Sequence, residues 1–102
     1  MTDRTLNMLG MARRANKVSL GHDAALDSLK KGEAHLILTS SDASERLCEE
    51  FSSACQNSVR YLKLKYTMNE TGASMGAKTT AVLSVNDKGF ADRIQQLVLE
   101  DD

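Results

Sequence analysis

The stretch AHLILTSSDAS, residues 34–44, decides the fold because it joins a buried strand to the start of a helix. Its first part, AHLILTS, is a nearly continuous apolar run between Gly32 and Asp42, a pattern typical of a strand buried on both faces. Asp42 and Glu45 have the spacing of a capping box, so we expect Asp42 to be the N-cap of the helix that follows.

Helical and strand periods alternate on both sides of this stretch. The first half is predicted to contain a helix over residues 3–15 that Asn16 ends, a strand at KVSL (17–20), a helix from Gly21 to Gly32, the strand at 34–40 and a helix to about Gln56. The second half is predicted to contain a strand at SVRYLKL (58–64), a helix from the Thr67–Glu70 capping box to Gly76, and a strand at TTAVLSV (79–85). The last element is a helix capped by Asn86-Asp87, with Phe90, Ile94 and Leu97 on its apolar face. This alternation predicts a single domain over residues 1–102 with the α/β class and a three-layer α-β-α sandwich.

Composition supports a folded domain without a membrane segment. Apolar residues make up 41% of the 102 residues and charged residues 26%, as in ordinary globular proteins. The chain has no apolar run approaching the roughly 18 to 20 residues of a membrane span, and its N-terminus MTDRTLNML lacks the pattern of a secretion signal. We therefore expect a cytoplasmic protein with no membrane partner.

The charge distribution is uneven although the net charge is only −1. Residues 1–40 hold six Lys and Arg against four acids, a net +2, whereas the remaining residues hold seven against ten, a net −3, with an acidic tail at Glu100, Asp101 and Asp102. Strongly basic composition, the usual mark of nucleic-acid binding, is absent. Any surface that faces RNA is expected in the first half of the chain.

The sequence offers no catalytic, metal or cofactor site. Cys48 and Cys55 fall in one predicted helix, where seven residues at a rise of about 1.5 Å separate them too far for a disulfide. No G-x-S-x-G elbow is present, and His22 beside Asp23 is most simply a solvated or capping histidine. The carboxylate pairs Glu49-Glu50 and Asp101-Asp102 are typical of a solvated surface.

The segment GASMGAKTT, residues 72–80, is the nearest approach to a phosphate-binding loop. Its glycines are four apart rather than five, Ala77 separates Gly76 from Lys78, and the segment ends a helix instead of starting one. We therefore predict no nucleotide site there and no enzymatic activity.

Four pieces of sequence, in order and spacing, resemble one family. They are LGMARRANKVSLG, AHLILTSSDAS, TGASMGA and VNDKGFA. The chain is similar to the L7Ae family of ribosomal proteins, which bind kink-turn RNA, and most of all to its bacterial YlxQ-like members. The resemblance covers about Leu6 to Leu97. It implies a three-layer sandwich around a mixed four-stranded sheet, no enzymatic activity and no cofactor. The partner it implies is a structured RNA, a kink-turn or a related motif, with the ribosome as one candidate source, and no DNA is expected.

The resemblance also implies where RNA is bound. In RNA-binding members the contact surface comprises the strand before the second helix, the N-terminal half of that helix, and the loop before the last strand. These correspond here to Lys17–Leu20, Gly21–Lys31 and Ala77–Thr80, with Arg13 and Arg14 nearby. The expected RNA-binding residues are therefore Arg13, Lys17, Gly21, His22, Asp23, Asp27, Lys31, Lys78, Thr79 and Thr80.

The base-reading positions differ from the family pattern. Where kink-turn binders have an Asn-Glu pair followed by Lys, this chain has Asp23, Ala24 and Asp27. Asp accepts hydrogen bonds but does not donate them, and its charge opposes phosphate. Helix stability alone also accounts for both aspartates, since Asp23 suits a helix N-terminus and Asp27 precedes Lys31 by four residues. Two hypotheses remain open: an RNA-binding protein with altered base-reading residues, and a protein-interaction or regulatory module of the same fold.

Overall fold

The chain alternates helices and strands as predicted. The structure, a computed structural model, describes residues 3–100, which form five helices and four strands. In chain order these are α1 (Arg4–Arg14), β1 (Val18–Leu20), α2 (His22–Lys30), β2 (Leu36–Thr39), α3 (Glu45–Cys55), β3 (Arg60–Lys63), α4 (Met68–Ser74), β4 (Val82–Val85) and α5 (Lys88–Glu100). Of the predicted acidic tail, Glu100 ends α5, and Asp101 and Asp102 lie outside the described residues.

Most of the predicted helix ends are confirmed. Thr67 and Glu70 form the full capping box of α4: the Thr67 hydroxyl accepts from the Glu70 N–H at 3.2 Å, and the Glu70 carboxylate accepts from the Thr67 N–H at 2.9 Å. Asp87 accepts from the N–H of Phe90 at 2.9 Å at the start of α5. Asn16, beyond the end of α1, has a φ of 62°, the left-handed conformation expected of it.

The N-cap predicted for α3 is wrong by two residues. Ser44, not Asp42, caps this helix, and its hydroxyl accepts from the Leu47 N–H at 3.2 Å. Asp42 instead accepts from the backbone N–H of Met68 at 2.8 Å, at the first residue of α4. Both residues are good N-caps, and the helix starts at the later one because the side chain of Asp42 is engaged by a distant helix.

The four strands form one mixed sheet in the order β1-β4-β2-β3. Strand β4 is antiparallel to both β1 and β2, whereas β2 and β3 are parallel. The mixed sheet expected from the family resemblance is therefore confirmed, with β1 and β3 at its edges.

Helices cover both faces of the sheet. Successive side chains of β2 point to opposite faces. Leu36 packs in a cluster with Leu9 of α1 and Ile94 of α5, whereas Ile37 packs in a second cluster with Phe51 of α3 and with residues of α2. All four residues of β2 are buried, as the apolar run predicted. The three-layer sandwich is confirmed.

The two cysteines are free thiols, as predicted. Cys55 is buried, and burial raises the pKa of its thiol. Within residues 3–100, no helix combines the length and the apolar character that a membrane crossing needs.

Candidate nucleic-acid interface

The N-terminus of α2 lies at the end of β1 and is not closed by a side-chain cap. Gly21 is the N-cap, with a φ of 95° that disfavours any residue with a side chain, and no hydrogen bond from a capping side chain is present. A Cβ on Gly21 would meet no atom within 4 Å, so the space above it is open. The free N–H groups of the first turn and the positive end of the helix dipole are therefore accessible to an anionic group.

The loop before β4 lies beside Gly21. The Gly21 N–H donates to the carbonyl of Val82 at 2.9 Å, so the loop that precedes β4 ends beside the start of α2. Lys78 and Thr79 are exposed on this loop. The loop is pressed against α4, because a Cβ on Gly72 would come within 2.9 Å of the Lys78 carbonyl oxygen.

Thr80 does not belong to the exposed part of this loop. Its side chain is 3% exposed, its N–H donates to the Met68 carbonyl at 3.1 Å, and its carbonyl accepts from the Ser40 hydroxyl at 2.6 Å. The prediction of Thr80 as an RNA-binding residue therefore does not fit its buried side chain. Its contacts anchor the loop instead.

His22, the first residue of α2, bridges two helices. Its Nδ1 lies 2.9 Å from the Asp23 carboxylate and its Nε2 lies 2.8 Å from the carboxylate of Glu50 on α3. The ring also packs edge-on against Phe51, with centroids 5.5 Å apart. The hydrogen bond with Asp23, followed by that with Glu50, raises the pKa of His22. No local pattern in the sequence indicates this bridge, since Glu50 lies 28 residues further along the chain.

Asp27 of α2 pairs with Lys31, the residue that follows the helix. The Lys31 ammonium lies 3.0 Å from the Asp27 carboxylate, the ion pair expected from their spacing, and the contact with Asp27 raises the pKa of Lys31. Both side chains are 60% exposed. Asp23 is fully exposed and presents its charge directly to solvent.

Two predicted basic contacts lie at the opposite end of the sheet from Gly21. The Lys17 carbonyl accepts from the Asn86 N–H at 2.7 Å, beyond the far end of the β1–β4 pairing. Lys31 follows α2, nine residues and about 13 Å from its start, and the nearby His35 N–H donates to Val85 at 2.8 Å. The predicted residues are thus divided between two ends, with Gly21 and Lys78 at one and Lys17 and Lys31 at the other. Arg13 and Arg14 are exposed in the last turn of α1, which leads to Lys17.

A polar network that the sequence did not predict holds α2 on the sheet. The Ser19 hydroxyl on β1 lies 2.9 Å from the Ser28 hydroxyl on α2. The Asn86 amide donates to Ser19 and accepts from Ser84, each at 2.9 Å. Because these groups satisfy one another, they fix α2 relative to β1 and β4, and with it the direction of its N-terminus.

The amino-acid sequence of the chain matches the model of a known protein family. The model of the ribosomal protein L7Ae/L30e/S12e/Gadd45 family matches residues 3–95. The chain belongs to this family. The match spans every predicted RNA-binding residue, and the resemblance inferred from four short motifs is confirmed.

One relative by sequence and two solved structures of similar fold agree with this assignment. The chain is 32% identical over 95 residues to the RNA-binding protein YlxQ of Bacillus subtilis (strain 168). The aligned region covers 89% of this chain and 91% of that protein. It also resembles the structure of a protein of unknown function from Bacillus halodurans, with a TM-score of 0.90, 22% identity and coverage of 95% and 98% of the two chains. The 15.5 kD RNA binding protein of Giardia lamblia has a TM-score of 0.77, 20% identity, and coverage of 93% and 82%. The last two likenesses establish the L7Ae-type fold.

A groove of about 620 Å³ between α1 and α4 lies apart from the predicted L7Ae-type contact residues. Asp3 and Glu70 line it, and both carboxylates accept backbone N–H groups at the starts of these helices. Among residues 3–100, no three His, Cys, Asp or Glu side chains are grouped as a metal site requires. The groove therefore presents carboxylates that already serve as helix caps.

Proposed function

We propose that this protein is a non-catalytic RNA-binding protein whose RNA contacts the N-terminus of α2 and the loop before β4. We call this area, formed by Gly21–Asp23 and Ala77–Thr79, the α2 surface. Its ligand is a structured RNA, a kink-turn or a related motif. Because the family is one of ribosomal proteins, we expect this RNA motif to be part of ribosomal RNA. A cytoplasmic location stays a prediction.

One observation carries the proposal: an uncapped helix N-terminus and a loop with an exposed lysine lie at the same end of the sheet. The Gly21 N–H is bonded to the carbonyl of Val82, the first residue of β4 after this loop. Helix N-termini and lysines are both phosphate-binding groups, and glycine permits close approach of a backbone. The α2 surface combines all three.

The named relatives support an RNA ligand. The YlxQ relative is named as an RNA-binding protein and covers nine-tenths of both chains. The Giardia lamblia protein, similar in fold, is also named as an RNA binding protein. Two relatives with this description favour RNA over other ligands of the α2 surface.

The acids of α2 predict how its RNA recognition differs from that of kink-turn binders. Asp23 accepts a hydrogen bond from an exposed base amine, but it does not donate one. Asp27 neutralises Lys31 instead of leaving it for a phosphate. We therefore expect weaker binding to a standard kink-turn than an Asn-Glu-Lys helix gives, with much of the affinity from sequence-independent contacts to phosphate.

A titration of the protein with a standard kink-turn RNA and a plain duplex, at two salt concentrations, tests the proposal. We expect tighter binding to the kink-turn and a dependence on salt. Replacing Lys78 by Ala should lower the salt slope by about one unit, since one phosphate contact is lost. The matched control is Lys63→Ala, an exposed lysine on the edge strand β3, which should leave the slope unchanged. Equal, weak binding of both RNAs, unaffected by Lys78→Ala, would contradict the proposal.

A second candidate is a protein-interaction module. The fully exposed carboxylate of Asp23 and the apolar Ala24 stand where the family reads RNA bases, and they suit a partner with basic groups. A protein that this chain retains after ribonuclease treatment, and that Asp23→Asn releases, would favour this candidate.

A further inference from the structure

The bridge from His22 to two carboxylates lies at the edge of the α2 surface. His22 directly follows Gly21, and it contacts Asp23 of its own helix and Glu50 of α3. The His22 and Glu50 side chains are each 43% exposed, and Phe51 is fully buried beneath the ring. The bridge thus links a buried anchor in α3 to the first turn of α2.

We propose that Glu50 is a positioning residue of the α2 surface: through His22 it locks the start of α2 to α3, and loss of the His22 proton weakens both this lock and RNA binding. This inference rests on the proposed function and adds a proton-dependent regulation to it.

Hydrogen-bond accounting supports the lock. An ionised carboxylate only accepts hydrogen bonds, so holding Asp23 and Glu50 together requires an N–H on both ring nitrogens. Only the protonated imidazole has two N–H groups, whereas the neutral ring has one and presents a lone pair on the other side. Deprotonation therefore breaks one of the two bonds and leaves one carboxylate unpartnered.

The charges around His22 favour its protonated form. Asp23 faces it from α2 and Glu50 faces it from α3, while the strands that α2 packs against, β1 and β4, carry no charged residue. A cation at a helix N-terminus is disfavoured by the helix dipole, yet the two carboxylates outweigh this effect and raise the pKa of His22. The stabilisation from the bridge is therefore present below the ordinary histidine pKa and is lost as the pH rises through the raised one.

The consequence for RNA is a change in both charge and geometry. With His22 protonated, the three groups carry a net charge of −1. After deprotonation they carry −2, and the ring holds only one of the two carboxylates. One further negative charge within several ångströms of phosphate weakens binding by about three- to tenfold at low salt. RNA affinity should accordingly fall as the pH rises from about 5.5 to about 8.5, across the histidine range.

The test combines RNA titrations over this pH range, at constant ionic strength, with NMR titration of the His22 ring in the free protein. The probe is the kink-turn RNA used above. For the wild-type protein we expect the affinity to fall with a midpoint at the measured His22 pKa. Glu50→Gln should lower the His22 pKa and move the affinity midpoint with it. Glu49→Gln, an exposed neighbour on α3, is the matched control and should change neither.

A second variant keeps the test independent of Glu50. His22→Gln has a side-chain amide that does not titrate, so the RNA affinity of this variant should not change with pH through residue 22. Any pH effect that comes from the RNA itself would remain in this variant and can be subtracted. Binding that is independent of pH while His22 titrates, or a His22 pKa unchanged in Glu50→Gln, would overturn the lock and leave the proposed function intact. Absence of saturable RNA binding at every pH would overturn both.

Discussion

Gly72 fixes the distance between α4 and the loop that carries Lys78. A Cβ at this position would lie 2.9 Å from both the Lys78 carbonyl oxygen and the Thr79 Cα, which are backbone atoms that cannot turn aside. The position of the loop on the α2 surface therefore depends on the absence of one side chain.

Replacing Gly72 by Ala should displace the loop and destabilise the protein by about 1–3 kcal/mol, the usual cost of overpacking. RNA affinity should fall as well, because Lys78 moves away from Gly21. Urea unfolding and the RNA titration measure the two effects. Ala73→Ser, at the exposed neighbouring residue, is the control. Unchanged stability and affinity in Gly72→Ala would refute the close contact.

Asn86 is the centre of the polar network beneath α2. Asn86→Ala removes the partner of the Ser84 hydroxyl and one partner of Ser19, so we expect the free energy of unfolding to fall by about 1–3 kcal/mol. Asn69→Ala, an exposed site on α4, should change it little. Denaturant unfolding of both variants decides this, and equal stability would show that the network contributes nothing.

The sequence predicts side-chain contacts between residues one helical turn apart, but it does not predict contacts between residues that are distant in sequence and meet only in the folded chain. The Asp27–Lys31 ion pair follows from helical spacing and was predicted. The His22–Glu50 bridge and the Ser19–Asn86 bond join residues 28 and 67 positions apart, and no local period reports them.

The N-cap residue of α1 also accepts a hydrogen bond from a residue far along the chain. Asp3 caps α1 by accepting the Thr5 N–H at 2.9 Å and the Leu6 N–H at 3.2 Å, and it also accepts from the Tyr66 hydroxyl. Burial opposes the charged form, but these hydrogen bonds outweigh it and hold the pKa of Asp3 below its ordinary 3.8.

Asp3 should therefore make stability depend on pH. Its contribution is present above the ordinary carboxyl pKa and is lost as the pH falls through the lowered one. Asp3→Ala should cost about 1 kcal/mol near neutral pH, as the loss of an N-cap does. Asp3→Asn retains an acceptor for the cap but should lose the pH-dependent part. Thermal unfolding at about pH 6 and about pH 3 separates these effects. If the wild-type protein, Asp3→Ala and Asp3→Asn lost the same stability between the two pH values, the proposed role of Asp3 would be contradicted.

Element types were predictable because helical and strand periods are strong in this chain, but one helix start was not. Between Asp42 and Ser44, two residues with similar capping ability, local sequence does not choose. The bond from Met68 to Asp42 decides the choice, and it exists only once α4 has packed nearby.

At the scale of the whole molecule, sheet order determines which residues meet. The alternation of elements predicted three layers, but not the order β1-β4-β2-β3. That order places β4 beside β1, so the loop that carries Lys78 ends at the side of the sheet where Gly21 lies, whereas Lys17 and Lys31 lie at the other end. The predicted contact residues between Lys17 and Lys31, which are continuous in the sequence, are therefore divided between two areas of the fold.

This separation changes the expected effect of Lys31. If Lys31 contacted a phosphate, as its place among the predicted RNA-binding residues implies, Lys31→Ala would lower the salt slope by about one unit. In the folded protein Lys31 is paired with Asp27 and is far from Gly21, so its replacement should change the slope less than Lys78→Ala does. RNA titrations of both variants over a range of salt concentrations compare them. A larger effect at Lys31 would shift the RNA to the opposite end of α2.

The most direct measurement for the central claim is an NMR map of backbone amides on adding kink-turn RNA to the protein. We predict that the largest changes fall on Gly21–Asp23 and Ala77–Thr79, with little change along β3. Changes centred on β3 or on the exposed face of α3, with the α2 surface unaffected, would contradict the proposal that RNA binds there.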